Sequence, residues 1–257
     1  MPFADLSTGA RLHYLDTAAS PNAIPVLLIH GFLGTGETEF PQIIAWLKPD
    51  YRVIAPTLRG WGQSQPKPRR FPYDFYQQDA ADILALLDTL EIPRAVILGY
   101  SDGGEAALLA AGKQPERFAA VAVWGAIGYY GPEMRPHTQR MYPGDWISPE
   151  ERALHGIENV DAFVLEWIQS VRLIIDSGGD LSLSLAPKIT APLLLMLGKQ
   201  DTLNPIKYGQ AFVDKTPNGR LATFECGHPI HQQAWAEFQR VVGAFLRPIS
   251  GSARRDS

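Results

Sequence analysis

Apolar residues fall along the chain in two alternating rhythms. Ile24 to Ile29 is an uninterrupted apolar run that stops at His30-Gly31. Such runs suit strands covered on both faces. Tyr51 to Ala55, Phe118 to Trp124 and Pro192 to Leu197 read the same way, with Arg220 to Glu225 as the last strand. Pro93 starts a further strand, whose apolar part ends in Val96-Ile97-Leu98. Between these runs the spacing changes to that of helices. Phe40 to Leu47 predicts a short amphipathic helix, and Asp74 to Leu90 a longer one with Ile83, Leu84, Leu87 and Leu90 on one face. Short alternating segments over residues 3–17 flank Ser7-Thr8-Gly9, a hairpin signal. Pro66 to Pro72 reads as a stiff loop. Strands alternating with helices predict an α/β fold with a largely parallel, doubly wound sheet.

One stretch breaks the alternation. Residues 128–187 show no sheet strand; Gly, Pro and polar residues come first, then a helix from Val160 to Ile175, closed by Gly178-Gly179. An insertion of this length between strands is usually functional. It is expected to be a helical lid over the strand ends, with the core formed by residues 1–127 and 188–250. The stripe Phe163, Val164, Trp167, Ile168 and Val171 is expected to pack rather than to touch ligand. The polar tail, residues 251–257, is expected to be disordered.

Composition narrows the class. The 257 residues are 46% hydrophobic and 19% charged, with a net charge of −4. No basic run suggests nucleic acid or an anionic membrane as a partner. The N-terminus lacks a basic region and an apolar core, and no apolar run could cross a bilayer, so a cytoplasmic location is expected. Cys226 is the single cysteine, which excludes an intrachain disulfide and is expected to be a small buried hydrophobe.

The chemistry centres on Gly99-Tyr100-Ser101-Asp102-Gly103, between an apolar strand and an alanine-rich helix. In that context Gly-x-Ser-x-Gly forms a nucleophile elbow, a tight turn that exposes the serine hydroxyl. Gly99 and Gly103 are required because side chains would collide across the turn. The competing reading is that Ser101 merely caps the following helix. A serine needs a base to take its proton, and the base an orienting carboxylate. In this kind of fold the chain order is Ser, acid, His. Asp201 follows the strand ending at Leu197, and His228 follows the last strand, so all three lie at one edge of the sheet. Asp176 and Asp180 follow no sheet strand; His231 falls in the last helix; His30 precedes the serine and is expected to hold its loop. Backbone N–H groups of Phe32 and Asp102 are the expected oxyanion donors. The Asp102 side chain has two readings: favouring a helix N-terminus, or countering a cationic substrate group.

Several stretches together resemble a known family. They are Gly31-Phe32-Leu33-Gly34-Thr35-Gly36-Glu37-Thr38-Glu39-Phe40, Arg59-Gly60-Trp61-Gly62-Gln63-Ser64, and Asp74-Phe75-Tyr76-Gln77-Gln78-Asp79-Ala80. To these are added Gly99 to Gly104, Trp124-Gly125-Ala126, and His228-x-x-His231 leading to Glu237-Phe238. The chain resembles the α/β-hydrolase superfamily and, within it, the valacyclovir hydrolase (biphenyl hydrolase-like) family. The resemblance implies an eight-stranded, mostly parallel sheet with helices on both faces and a helical lid. It implies Ser101 as nucleophile, Asp201 as acid, His228 as base, and Asp102 as the residue that meets the ammonium of α-amino-acid esters. It implies no metal or organic cofactor. Thr57 departs from the family in standing where many relatives have Asp.

The expected function is carboxylic ester hydrolysis through an acyl-enzyme. The expected partner is a small-molecule ester, with neither nucleic acid nor membrane, and the chain is expected to be a monomer or small homo-oligomer. The alternatives are hydrolysis of a carbon–carbon bond in a ring-cleavage product or of a lactone, and a ligand-binding protein that keeps the fold without turnover.

Overall fold

The computed structural model describes residues 1–18 and 23–253. Eight strands form one sheet in the order β1-β2-β4-β3-β5-β6-β7-β8. β1 (Phe3–Asp5) and β2 (Arg11–Asp16) make the expected antiparallel hairpin. β2 then joins β4 (Tyr51–Pro56) antiparallel. From β4 onward the sheet is parallel, through β3 (Ile24–Ile29), β5 (Ala95–Tyr100), β6 (Phe118–Trp124), β7 (Leu193–Gly198) and β8 (Gly219–Phe224). The continuous apolar runs become these strands because both faces are covered. Leu27, Ile29, Ile97, Val121, Leu195 and Leu197 face one layer, with α2 (Phe75–Thr89), α3 (Asp102–Lys113) and α7 (Ile206–Lys215). Their neighbours Val26, Leu28, Val96, Leu98, Ala122 and Met196 face the other, with α1 (Pro41–Leu47) and α9 (Trp235–Ala253). The alternation follows from the two-residue repeat of a strand.

The segment between β6 and β7 holds α4 (Arg135–Gln139), α5 (Pro149–His155) and α6 (Val160–Asp176), and contributes no strand to the sheet. α5 is tightly delimited. Ser148 and Glu151 form a reciprocal capping box at its start, and Gly156 ends it with φ of 69°. α6 packs its apolar face on the core, where Phe163 meets Phe32, Trp61 and Phe71. A short helix, α8 (Ile230–Gln233), precedes α9, so His231 lies in α8 and not in the last helix as expected. α9 continues to Ala253, three residues into the tail expected to be disordered, and residues 254–257 lie outside the described residues. Among the described residues no helix is long and apolar enough to cross a membrane.

Candidate active site

All the parallel strands point the same way, so their C-terminal ends share one edge, and there the sequence-chosen residues meet. Ser101 follows β5 directly, with φ 52° and ψ −123°. A non-glycine residue with positive φ is strained, and such strain persists only where surrounding structure fixes it. Here Ser101 N–H donates to the Trp124 carbonyl at 2.9 Å. The flanking glycines are sterically required: a Cβ on Gly103 would lie 2.3 Å from the His30 carbonyl oxygen, and one on Gly99 2.6 Å from that of Gly103. The turn thus forces the hydroxyl outward from the strand end.

His228 Nε2 lies 2.9 Å from Ser101 Oγ, and His228 Nδ1 lies 2.7 Å from Asp201 Oδ2. Burial alone would raise the Asp201 carboxyl, but hydrogen bonds from His228, the Leu203 N–H and Asn204 hold it below its usual range. A carboxylate on Nδ1 selects the tautomer whose Nε2 lone pair faces the serine. Asn204 reinforces this corner by donating to Asp201 Oδ2 at 3.1 Å and to the Gly125 carbonyl at 3.0 Å. Gly125, with φ of 64°, lies under the imidazole, and a Cβ there would sit 2.7 Å from His228 Cε1.

The rival residues are occupied elsewhere. Asp176 pairs with Arg135, and Asp180 accepts from the Ser184 N–H. His231 accepts the Trp124 indole N–H at 3.0 Å and packs against Tyr100. Cys226 is buried just beyond β8. His30 is fully buried and bridges two loops, with Nδ1 at 2.7 Å from the Gly31 carbonyl and the Leu58 N–H donating to Nε2 at 2.9 Å. Burial pushes its pKa down to about 3, so it is neutral and its tautomer is set by these two bonds. Gly31 abuts Ser101, since a Cβ there would lie 3.1 Å from Ser101 Cβ. Neither Phe32 nor Asp102 uses its N–H in a backbone hydrogen bond among the described residues.

A narrow pocket opens beside Ser101. Its wall includes Asp102, Tyr130, Met134, Thr138, Trp167, Val171 and Leu203. Two of these, Trp167 and Val171, come from the stripe expected only to pack; Phe163, Val164 and Ile168 do pack in the buried core. The indole N–H of Trp167 is buried without an acceptor. Among the described residues that line it, Asp102 is the one Asp, Glu, Lys or Arg. Burial pushes its pKa up to about 6, against the opposing pull of the Tyr76 hydroxyl and the Arg69 guanidinium. Tyr76 donates to Asp102 Oδ1 at 2.7 Å, so the 2.8 Å contact between Tyr76 and Tyr130 has Tyr130 donating. Arg69 is already bound by both oxygens of buried Asp79, at 2.7 and 2.6 Å, and among the described residues Asp102 forms no ion pair. Tyr130 and Asn204 were not legible as site residues, because nothing in their local sequence marks them; only the packing of separate segments brings them here. Among the described residues no group of His, Cys, Asp and Glu could hold a metal ion.

A family model described as alpha/beta hydrolase fold matches residues 24–160. The serine hydrolase BPHL of Homo sapiens is 33% identical over 251 residues, covering 93% of this chain and 84% of that protein. The 2-hydroxy-6-oxononadienedioate/2-hydroxy-6-oxononatrienedioate hydrolase of Burkholderia vietnamiensis is 28% identical, covering 93% of this chain and 92% of that one. Among solved structures, the 2-hydroxy-6-oxo-6-phenylhexa-2,4-dienoate hydrolase from a Rhodococcus strain superposes with a TM-score of 0.77 at 22% identity, covering 95% of this chain and 97% of its own. Sheet order, elbow and the near full-length match agree: the chain is a hydrolase of the α/β-hydrolase family, in its valacyclovir hydrolase (biphenyl hydrolase-like) branch.

Proposed function

We propose that the protein is a serine esterase that cleaves carboxylic esters through an acyl-enzyme, with α-amino-acid esters as its favoured substrates. The observation that carries the reading is the unbroken chain Ser101–His228–Asp201 at 2.9 and 2.7 Å, beside the buried Asp102 carboxylate, which forms no ion pair among the described residues. His228 takes the Ser101 proton as Oγ attacks the ester carbonyl, and Asp201 stabilises the imidazolium. The N–H groups of Phe32 and Asp102 receive the oxyanion. His228 then protonates the leaving alcohol; in the second half-reaction it takes a proton from water as the water oxygen bonds to the acyl carbon, and returns that proton to Ser101 Oγ as the acyl–Oγ bond breaks and the acid leaves. Asp102 receives the substrate ammonium. With a pKa of about 6 it is mostly ionised at neutral pH.

The test is a serine-directed fluorophosphonate probe together with a panel of esters. Wild type becomes labelled at Ser101 and hydrolyses amino-acid esters, and Ser101→Ala does neither. A wild-type protein that stays unlabelled and inert to esters is a binding protein on a hydrolase fold. Similarity to hydrolases of dianionic ring-cleavage products supports a second reading, carbon–carbon bond hydrolysis. The lining argues against it, because Asp102 would repel carboxylates and the wall offers neither Lys nor Arg to receive them.

A further inference from the structure

The Gly31–Gly34 turn is held from two sides by two buried histidines, only one of which belongs to the core. Gly34 N–H donates to the Gly31 carbonyl at 3.1 Å, which closes a four-residue turn. Its third residue, Leu33, has φ of 61°. That geometry favours glycine, and leucine there carries strain on the order of 1 kcal/mol or more. The turn therefore relaxes unless something holds it.

His155, the last residue of α5 in the inserted segment, provides the hold. It is fully buried, and its ring stands edge-on to Trp61 at 4.9 Å. Gly62 N–H donates to its Nδ1 at 3.0 Å. The proton must then reside on Nε2, which lies 2.9 Å from the Leu33 carbonyl and donates to it. Burial keeps this histidine below its ordinary pKa, so the neutral form that the two bonds require persists. His30 makes the mirror arrangement beneath, from the Gly31 carbonyl to the Leu58 N–H.

The bonds form a relay. The Leu33 carbonyl and the Gly34 N–H belong to one peptide group; the Gly31 carbonyl and the Phe32 N–H belong to the next one in the relay. In a trans peptide the C=O and N–H point in opposite directions. Fixing the Gly31 oxygen therefore aims the Phe32 N–H away from it, and donation to each carbonyl strengthens the N–H on the same group.

We propose that His155 is a positioning residue for ester cleavage: it pins the strained Gly31–Gly34 turn so that the Phe32 N–H stays aimed at the oxyanion, which makes the oxyanion hole depend on the seating of α5. This rests on the serine esterase reading above.

Two variants separate the roles of the ring nitrogens. His155→Asn places its amide near Nδ1, accepts from Gly62 and falls short of Leu33. His155→Gln places its amide nitrogen near Nε2, donates to Leu33 and leaves Gly62 unmet. Each loses one of two bonds, so similar drops in melting temperature are expected. The readouts are the rate of fluorophosphonate labelling of Ser101, and kcat and KM for an ester. Loss of a whole oxyanion donor costs about 10²–10³ in kcat. Misaiming one is expected to slow labelling and kcat of His155→Asn by about 10- to 100-fold, while His155→Gln stays within about fivefold and KM within about twofold in both. If the asparagine variant is not folded at the assay temperature, His155→Met, which fills the site without a polar atom, takes its place with the same expectation. Equal rates in the Asn (or Met) and Gln variants would overturn the proposal while leaving the esterase reading intact. Failure of wild type itself to label removes the esterase reading, and this inference with it.

Discussion

Asp102→Asn removes a charge and keeps a shape, so it separates what the carboxylate does for substrate from what it costs the fold. The Tyr76 hydroxyl, 2.7 Å from Asp102 Oδ1, can donate equally to an amide oxygen. Burial raises the folded carboxyl from 3.8 to about 6. That difference of roughly two units corresponds to about 3 kcal/mol. The sign follows from proton binding. Between pH 3.8 and about 6 the folded state holds more protons than the unfolded one, so stability falls as pH rises through this window, and the full cost is present above it. Asparagine has no such slope. Urea denaturation is therefore expected to find Asp102→Asn more stable than wild type by about 2–3 kcal/mol at pH 8, with the gap nearly closed at pH 4. Glu105, raised to about 7 by burial, titrates in both proteins and largely cancels in the comparison. The substrate half uses an amino-acid ester and its des-amino analogue. An ammonium at ~4 Å with an effective dielectric of about 20 gains at most roughly 4 kcal/mol before desolvation. A wild-type preference of about 100-fold in kcat/KM is expected, equivalent to about 2.7 kcal/mol. The two esters are compared at each pH, so any pH effect common to both drops out of the ratio. The preference is thus expected to fade as pH drops through about 6, where Asp102 takes up its proton. In the Asn variant the ratio should be near one throughout. Unchanged stability at both pH values, with the amine preference retained, would refute the reasoning and reduce Asp102 to a helix-end acid.

Other perturbations address the supports of the site. Gly125→Ala places a methyl 2.7 Å from His228 Cε1, so the ring must shift off Ser101; kcat is expected to fall by about 100-fold or more with little change in KM, measured by steady-state ester hydrolysis. Glu105 accepts from the N–H groups of Ile127 and Gly128 at 2.9 and 3.0 Å; Glu105→Ala orphans both and is expected to cost about 2–4 kcal/mol in urea melts. Arg69→Met leaves Asp79 buried and unpaired, an expected loss of about 3–5 kcal/mol that the double variant Arg69→Met/Asp79→Leu should largely recover. Because Arg69 also holds the Asp102 pKa down, that double variant should lose its amine preference at a different pH from wild type; an unshifted profile would show that Arg69 and Asp79 cancel at Asp102.

The strands and the order of the site residues were determined by the sequence itself. A continuous apolar run such as Ile24–Ile29 can only be satisfied by cover on both faces, and a parallel sheet then places Ser101, Asp201 and His228 at one edge whatever the details of packing. The elbow was equally legible, because Gly99 and Gly103 answer a local steric demand that does not depend on distant residues. What only the tertiary structure decided lies between segments. Trp167 and Val171 share a helical stripe with Phe163 and Ile168, and periodicity cannot tell which of them meets a cavity and which meets the core. Tyr76 and Tyr130 lie far apart in sequence and carry no motif of their own, yet they form one hydrogen-bonded path to Asp102. His155 looks like any histidine near the end of a short helix until α5 seats it between Leu33 and Gly62. Such roles escape a sequence reading because hydrogen bonds and burial depend on what packs from elsewhere. Local pattern fixes the direction of a backbone, but only packing fixes the partner a side chain finds.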